Sequence, residues 1–286
     1  MKPAFETISS PGNTSFLVRR FEEKGFEAPY HFHPEYELTL ILDGCGKRYV
    51  GTHMDDYFPD DLLLLGSNLP HCWKKENLAA GQNSASVVIQ FHPDFMGHDF
   101  FAKPEMEKIL HLLNNSNYGI QFTGNIASLK NKVLDLLNES YSFRKLVLLL
   151  EILYALATTD QYILLNKQNL FAALPVTEKE RMNKVIAYIV ENFRETISLN
   201  QAARAASMTP QAFCKYFKKI SRKTFIEAVT DYRIDYAMQE LVQTNKPVTQ
   251  IGFESGFNDI SNFYKTFRGR LKQSPLSYRN GFIKKL

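Results

Sequence analysis

Residues 198–219 read SLNQAARAASMTPQAFCKYFKK, and this stretch decides how the second half of the chain folds. Ser198 with Gln201 three residues on has the form of a capping box. It opens a short helix with Leu199, Ala202, Ala203 and Ala206 on its inner face. Ser207-Met208 gives a tight turn, Thr209 caps the next helix, and Pro210 stands at its first position, where a fixed φ suits a helix start. In that helix Phe213 and Phe217 face inward, leaving Gln211, Cys214, Lys215 and Lys218 outward. A short helix, a tight turn and a second helix, with small residues where the axes must approach, is the helix-turn-helix pattern.

The pattern recurs about 50 residues later, in PVTQIGFESGFNDISNFYKTFR at 247–268. Thr209, Phe213, Lys215, Phe217 and Lys218 correspond to Asp259, Phe263, Lys265, Phe267 and Arg268. Leu199 and Ala203 correspond to Val248 and Gly252, with one extra residue in the second turn; Arg222 and Thr224 correspond to Lys272 and Ser274. A helix from Phe225 to Val242 joins the copies, its Phe225, Val229, Tyr232, Tyr236, Ala237 and Leu241 able to pack on both. Upstream, Thr177 with Glu180 reads as another capping box, opening a helix with Met182, Val185, Ile186, Ile189, Val190 and Phe193 on one face.

A helix of this kind fits a DNA major groove, with its N-terminal outward side chains at base edges. Gln211, Lys215, Asn262 and Lys265 are the base-edge candidates, with Ser261 a weaker one. Lys218, Lys219, Arg268 and Arg270 lie further along and suit phosphates. The alternative for each is a solvated surface residue.

Residues 177–286 resemble the AraC/XylS family of bacterial transcription regulators. The resemblance rests on Ser198-Leu199 through Lys219, Tyr232-Arg233-Ile234, Ile251 through Phe267 with Phe253-Glu254-Ser255-Gly256-Phe257, and Ser274-Pro275 with Tyr278-Arg279. It implies two helix-turn-helix units on one face of double-stranded DNA, joined by a rigid helix, with RNA polymerase a further partner of an activator. This chain departs from the family at Arg222 and Lys272, where glycine is usual after the second helix of each pair. If those positions need positive φ, each costs on the order of 1 kcal/mol. The usual Ile-Ala is here Ile251-Gly252.

Charge divides along the same line. Residues 1–174 hold 15 Lys and Arg against 20 Asp and Glu, and residues 175–286 hold 19 against 10. Only the basic half suits a polyanion. Hydrophobic residues make up 44% of the 286, enough for a core in each half. Cys45, Cys72 and Cys214 are too few and scattered for a disulfide framework or a thiolate metal cluster. The start shows no basic-then-apolar signal pattern, and the longest apolar run, Leu146 to Ala157, is broken by Glu151. A cytoplasmic protein without membrane contact is the expectation.

The first hundred residues read as short strands, Phe16 to Arg20, Glu37 to Leu42, Lys47 to Val50, Asp61 to Leu65 and Ser86 to Phe91, separated by turn residues. Many short strands predict an antiparallel barrel or sandwich. From Pro104 the period becomes helical: Met106, Ile109, Leu110, Leu113; then Leu129, Val133, Leu136, Leu137; then Phe143, Leu146, Val147, Leu150, Leu153, Tyr154. The third helix is apolar on most sides and needs cover from another subunit or another domain. A linker is expected between Gln161 and Pro175.

His31-Phe32-His33 puts two imidazoles on one strand face, and Glu37 can join it; His71 follows later. Three histidines and a carboxylate would suit a first-row transition metal. The spacing Gly25, His31, His33, Glu37, Gly44 is similar to the first cupin motif, whereas the second survives only as His71, with Asp60, Gly66, Asn68 and Lys75 at its other positions. Sensor domains of AraC-type regulators commonly look like cupins, which implies an effector pocket. Tyr30, Phe32, Tyr36 and Trp73 lie near enough in sequence to wall one, though aromatics also fill ordinary cores. The same His/Glu set could equally anchor strands.

The resulting expectation is an α+β multidomain chain: a cupin-like antiparallel β-barrel over 1–100 as effector sensor, helices over 101–174 able to pair subunits as a homodimer, and an all-α DNA-binding domain over 175–286 with two helix-turn-helix units. The small-molecule effector would contact His31, His33, Tyr36, Glu37, His71 and Trp73, and a metal would use His31, His33, Glu37 and His71. The rival reading is a metal-dependent cupin enzyme fused to a DNA-binding module.

Overall fold

Val, Leu and Ile fill both faces of the central strands, so those strands need cover twice, and this requirement organises the first part of the chain. The computed structural model describes residues 14–23, 26, 30–74, 83–166 and 175–283. Two compact units emerge, residues 1–174 and 175–286. Gly25, Lys75 and the linker residues 167–174 lie outside the described residues.

The first unit runs β1 (Phe16–Glu23), β2 (Tyr36–Asp43), β3 (Gly46–Val50), β4 (His53–Tyr57), β5 (Leu62–Leu65), β6 (His71–Lys74), β7 (Ser84–Phe91), α1 (Glu107–Asn115), β8 (Ile120–Phe122), α2 (Ala127–Asn138), α3 (Ser142–Ala157) and β9 (Tyr162–Leu164). All strand pairings given by these elements are antiparallel, in one sheet of order β1-β7-β2-β5-β8-β9 and another of order β4-β3-β6. Leu38, Leu40, Leu62, Leu64, Val87 and Ile89 meet Leu113, Val133, Leu136, Leu149 and Ile152 of the helices. On the opposite face Ile41, Leu63 and Leu65 meet Val50, Tyr57 and Trp73 of the small sheet.

The expected closed barrel is therefore corrected to two separate sheets among the described residues. Helices pack on one face of the larger sheet and the small sheet on the other, so the two sheets stack. Arg48 of β3, fully buried, bonds across to Asp61 at 2.9 Å and Gln121 at 3.2 Å. The sequence reading missed β4, β6, β8 and β9: HMDDY and HCWK lack apolar alternation, and the other two have three residues each. The inward stripe of α3 also differs. Leu149, Ile152, Leu153 and Leu156 are buried, whereas Phe143 and Tyr154 of the expected stripe are exposed.

Asn166 closes this unit. Its Nδ2 donates to Val50 O and Tyr118 O, both at 3.0 Å, and its Oδ1 accepts from Thr52 N at 2.9 Å and Thr52 Oγ1 at 3.1 Å. Gly51, at φ 59°, leaves the room: a Cβ there would lie 2.9 Å from Asn166 Oδ1.

The second unit is helical: α4 (Val176–Asn192), α5 (Leu199–Ala205), α6 (Pro210–Ser221), α7 (Phe225–Gln243), α8 (Val248–Glu254), α9 (Ile260–Leu271) and α10 (Pro275–Ile283). The turn after α5 and the turn after α8 are built alike. Ser207 N bonds Arg204 O and Met208 N bonds Ala203 O, both at 2.9 Å; Gly256 N bonds Phe253 O at 2.9 Å and Phe257 N bonds Gly252 O at 3.2 Å. Ser207 has φ 55° and Gly256 φ 89°. Gly252 stands where the first pair has Ala203, because a Cβ there would lie 2.7 Å from Ile260 Cδ1 and 2.9 Å from Phe263. Arg222 and Lys272 both end their helices left-handed at φ 59°.

The helix before each pair takes a cap from the helix after it. Arg233 of α7 donates to Phe193 O at 2.6 Å and Glu195 O at 2.9 Å; Arg279 of α10 donates to Leu241 O at 3.0 Å and Lys246 O at 2.8 Å. The Phe193 and Leu241 carbonyls are orphans at the ends of α4 and α7, and those of Glu195 and Lys246 lie in the connections that follow.

Two expected capping boxes change. Thr177 caps nothing: α4 begins at Val176 on Pro175, whose fixed φ starts the helix earlier. At α5, Ser198 accepts from Gln201 N, but the return bond passes through Tyr188, whose hydroxyl accepts from Ser198 N at 3.0 Å and donates to Gln201 Oε1 at 2.8 Å. A complete box does form at Thr224 and Glu227 on α7. No helix among the described residues is long and apolar enough to cross a membrane.

Candidate functional site

In the second unit the phenylalanines decide what faces outward. Phe213 and Phe217 on α6, and Phe263 and Phe267 on α9, are fully buried. Helical periodicity then turns Gln211, Lys215, Lys218 and Lys219 outward on α6, and Ser261, Asn262, Lys265, Arg268 and Arg270 outward on α9, all exposed. The order of buried and exposed positions from Gln211 to Lys219 is the same as from Ser261 to Gly269. Thr209 accepts from Ala212 N and Asp259 from Ser261 N, so each helix start is capped from its own chain.

Two of these residues have partners of their own. Asn262 Oδ1 accepts from Thr266 Oγ1 at 3.3 Å. Arg270 Nη1 lies 2.8 Å from Asp231 Oδ1 on α7, and Lys223 Nζ lies 2.7 Å from the other oxygen of the same carboxylate. Neither Lys223 nor Asp231 stood out in the sequence, since a single charge in a turn or on a helix face carries no pattern.

The first unit holds a cavity of about 120 Å³ against the inner face of the larger sheet. Register fixes its floor: Glu37 pairs Gln90, Thr39 pairs Val88 and Ile41 pairs Ser86, so β2 and β7 present these six side by side. Phe21, Phe26, His31 and Trp73 supply the rest of the lining.

Glu37 is the polar centre. Its Oε1 accepts from Thr39 Oγ1 at 2.6 Å; its Oε2 accepts from Gln90 Nε2 at 2.8 Å and lies 3.0 Å from His33 Nε2. His33 Nδ1 lies 3.4 Å from Glu35 Oε2. Burial disfavours a charged His33, but Glu35 and Glu37 outweigh it and push its pKa up to about 9. Burial likewise opposes the Glu37 carboxylate, yet His71 and His33 hold its pKa well below the usual range.

His71 Nδ1 lies 2.8 Å from Leu69 O, so that nitrogen carries the hydrogen. The other, Nε2, is buried without a hydrogen-bond partner 3.5 Å from Glu37 Oε2. His31 and His71 bridge each other through their backbones and their rings are 4.4 Å apart. His31, His33, Glu37 and His71 all bring a ligand atom within 4.8 Å of one another.

Of the residues expected around an effector, His31, Glu37 and Trp73 line the cavity, and His33 and His71 stand directly behind Glu37. Tyr36 does not: it neighbours Glu37 on β2, so it points to the opposite face, where its ring packs tilted against Phe91, centroids 5.3 Å apart. Tyr30 and Phe32 are buried, Tyr30 bonding Gly51 O at 2.7 Å. Thr39, Ser86, Val88 and Gln90 went unnoticed; the i, i+2 alternation from Glu37 could have found Thr39.

Residues 202–281 match the family described as "Helix-turn-helix domain". Among curated relatives, the chain is 24% identical over 258 residues to an uncharacterized HTH-type transcriptional regulator, YdeC, of Bacillus subtilis, covering 88% of this chain and 86% of that one. It is 23% identical over 256 residues to the HTH-type transcriptional activator RhaS of Mannheimia succiniciproducens, covering 88% and 89%. A solved structure of ToxT from Vibrio cholerae is 14% identical, covers 93% of this chain and 98% of its own, and superposes at a TM-score of 0.36.

Proposed function

We propose that this chain, which is a DNA-binding transcription regulator of the AraC/XylS family, reads duplex DNA through both α6 and α9 and takes a small-molecule effector in the cavity of its first unit. The observation that carries the DNA reading is the repeated order of buried phenylalanines and exposed polar residues on α6 and α9. Two copies of one helix-turn-helix unit, with α7 between them, account for that repetition. The 19 residues of α7 span about 28 Å at 1.5 Å per residue. Successive major-groove segments on one face lie about 34 Å apart.

Gln211, Lys215, Asn262, Lys265 and Ser261 are the base-edge candidates, and Lys218, Lys219 and Arg268 the phosphate contacts. Binding-site selection with the full chain tests this. Gln211→Ala and Asn262→Ala should relax preference at two separate positions about one helical turn apart, each by on the order of 1–3 kcal/mol if the contact is bidentate. An unchanged selected motif with both variants, or loss at the same base pairs, rejects the two-segment reading.

For the effector, the apolar walls of Phe21, Phe26 and Trp73 around the polar Glu37, Thr39 and Gln90 fit a small, partly polar molecule. Residues 1–100 are then the sensor, 101–174 the helices that pair subunits, and the exposed Phe143 and Tyr154 of α3 support that pairing. Screening small molecules for melting shifts in wild type and Thr39→Val tests the pocket. Shifts that Thr39→Val leaves intact place the ligand elsewhere.

A bound metal is the second reading, favoured by His71 Nε2, which is buried without a hydrogen-bond partner 3.5 Å from Glu37 Oε2. His31, His33, Glu37 and His71 would hold the ion, and three imidazoles with one carboxylate suit a borderline divalent cation. Such an ion would supply positive charge to anchor a ligand oxygen. Elemental analysis of wild type and His33→Ala decides: substoichiometric metal in both removes this reading.

A further inference from the structure

Helix α7 carries an acid on three successive turns of one face, Glu227, Asp231 and Asp235. It does so inside a unit whose surplus charge is strongly positive. The middle acid engages both DNA-reading pairs at once. Lys223 follows the end of α6 by two residues and Arg270 is the penultimate residue of α9, and each takes one oxygen of Asp231, at 2.7 and 2.8 Å. Lys223 and Arg270 remain 52% and 40% exposed, so a phosphate can reach either cation. There it competes with the Asp231 carboxylate for the same positive charge. Ion pairs this exposed are worth roughly 0–1 kcal/mol, little enough for a well-placed phosphate to break them.

We propose that Asp231 is a specificity-determining residue: it occupies Lys223 and Arg270 in competition with DNA phosphates, so that random duplex gains little from them and only a duplex seated on α6 and α9 recruits them. The proposal rests on the reading of α6 and α9 as the DNA-contacting helices. Glu227 gives its Oε2 to the Thr224 cap, accepting from Thr224 N at 2.7 Å and Thr224 Oγ1 at 2.8 Å.

The test titrates the full chain with a labelled duplex of random sequence, and with the duplex that selection yields, across a range of salt. Asp231→Asn should bind random duplex about two- to fivefold tighter at low salt. Its log–log salt slope should steepen by about 0.9 for each cation released, up to about 1.8. The ratio of selected to random affinity should fall. In a Lys223→Gln/Arg270→Gln background, Asp231→Asn should change nothing. The Lys223→Gln/Arg270→Gln protein by itself should lose more affinity for the selected duplex than for random duplex, and this arm decides if Asp231→Asn does not fold. Random-duplex affinity that is unchanged or weaker in a folded Asp231→Asn overturns the proposal and makes Asp231 a spacer between helices. So does equal loss on both duplexes in the Lys223→Gln/Arg270→Gln protein. A wild-type chain that binds neither duplex rejects the DNA-reading face itself.

Discussion

Gly256 rests directly on the carbonyl of Phe193: a Cβ at Gly256 would lie 2.5 Å from Phe193 O. The same oxygen accepts from Arg233 Nε at 2.6 Å, and Arg194 Nε donates to Glu254 O at 3.1 Å. The end of α4, the middle of α7 and the turn after α8 therefore meet at one backbone atom. Gly256 also has φ 89°, which side chains rarely adopt.

Gly256→Ala should accordingly lower the unfolding free energy of the second unit by at least about 2 kcal/mol, combining positive φ with a clash against backbone. Gly269→Ala is the contrast. It sits inside α9 with nothing within 4 Å of its Cβ position, and should gain about 0.5–1 kcal/mol. Urea unfolding of both variants checks the pair; equal effects would mean that the Phe193 contact is irrelevant.

Arg222→Gly and Lys272→Gly should each stabilise by about 1 kcal/mol, since both residues stand at φ 59° where only glycine is unstrained. Each should at the same time weaken binding to random duplex if its cation meets phosphate. Paired chemical denaturation and salt titration separate the two effects.

Asp235 is held at a pKa of about 6, against 3.8 ordinarily, by burial and by the Asp231 charge, with Lys223 and Arg270 pulling the other way. The folded state thus binds this proton more tightly than the unfolded chain, and stability from this group is lost as pH rises from about 4 through about 6. Asp235→Asn should be more stable than wild type by roughly 1–3 kcal/mol at about pH 8, and indistinguishable at about pH 4. A difference that persists undiminished at the acid end would point to packing instead.

Glu37→Leu should cost the first unit on the order of 3–5 kcal/mol, because it strands buried His33, Thr39 and Gln90 without their shared acceptor. Differential scanning calorimetry should show the loss in one transition and leave the second unit's melting in place. A single unshifted trace would mean that the cluster relaxes freely.

The helical half was the more legible in sequence. Phe213, Phe217, Phe263 and Phe267 repeat at helical spacing, so which way Gln211 and Asn262 point follows from local periodicity alone. The sheet half needed register, which sequence does not carry: Gln90 reaches Glu37 only because β7 pairs β2 with those two residues opposite. For the same reason Tyr36, adjacent in sequence, lands on the wrong face, while Thr39 lands on the right one. The four missed strands were short or charged, and tertiary pairing rather than propensity makes them strands. Tyr188 inserting itself into the Ser198–Gln201 box is a contact between helices that no local pattern announces.

Asn166 is the last described residue before the chain leaves the first unit, and its bonds run in three directions, to Val50, to Tyr118 and to both donors of Thr52. Its own backbone N–H adds a bond to Tyr118 O at 3.0 Å. In mechanical language this is strain relief, like the grip where a cable enters its housing. A pull arriving along the strand is shared in shear by several bonds on two separate loops, instead of peeling β9 from the sheet edge one pair at a time. Truncating this amide would convert shear into unzipping, and a pulling experiment would register that as a lower rupture force.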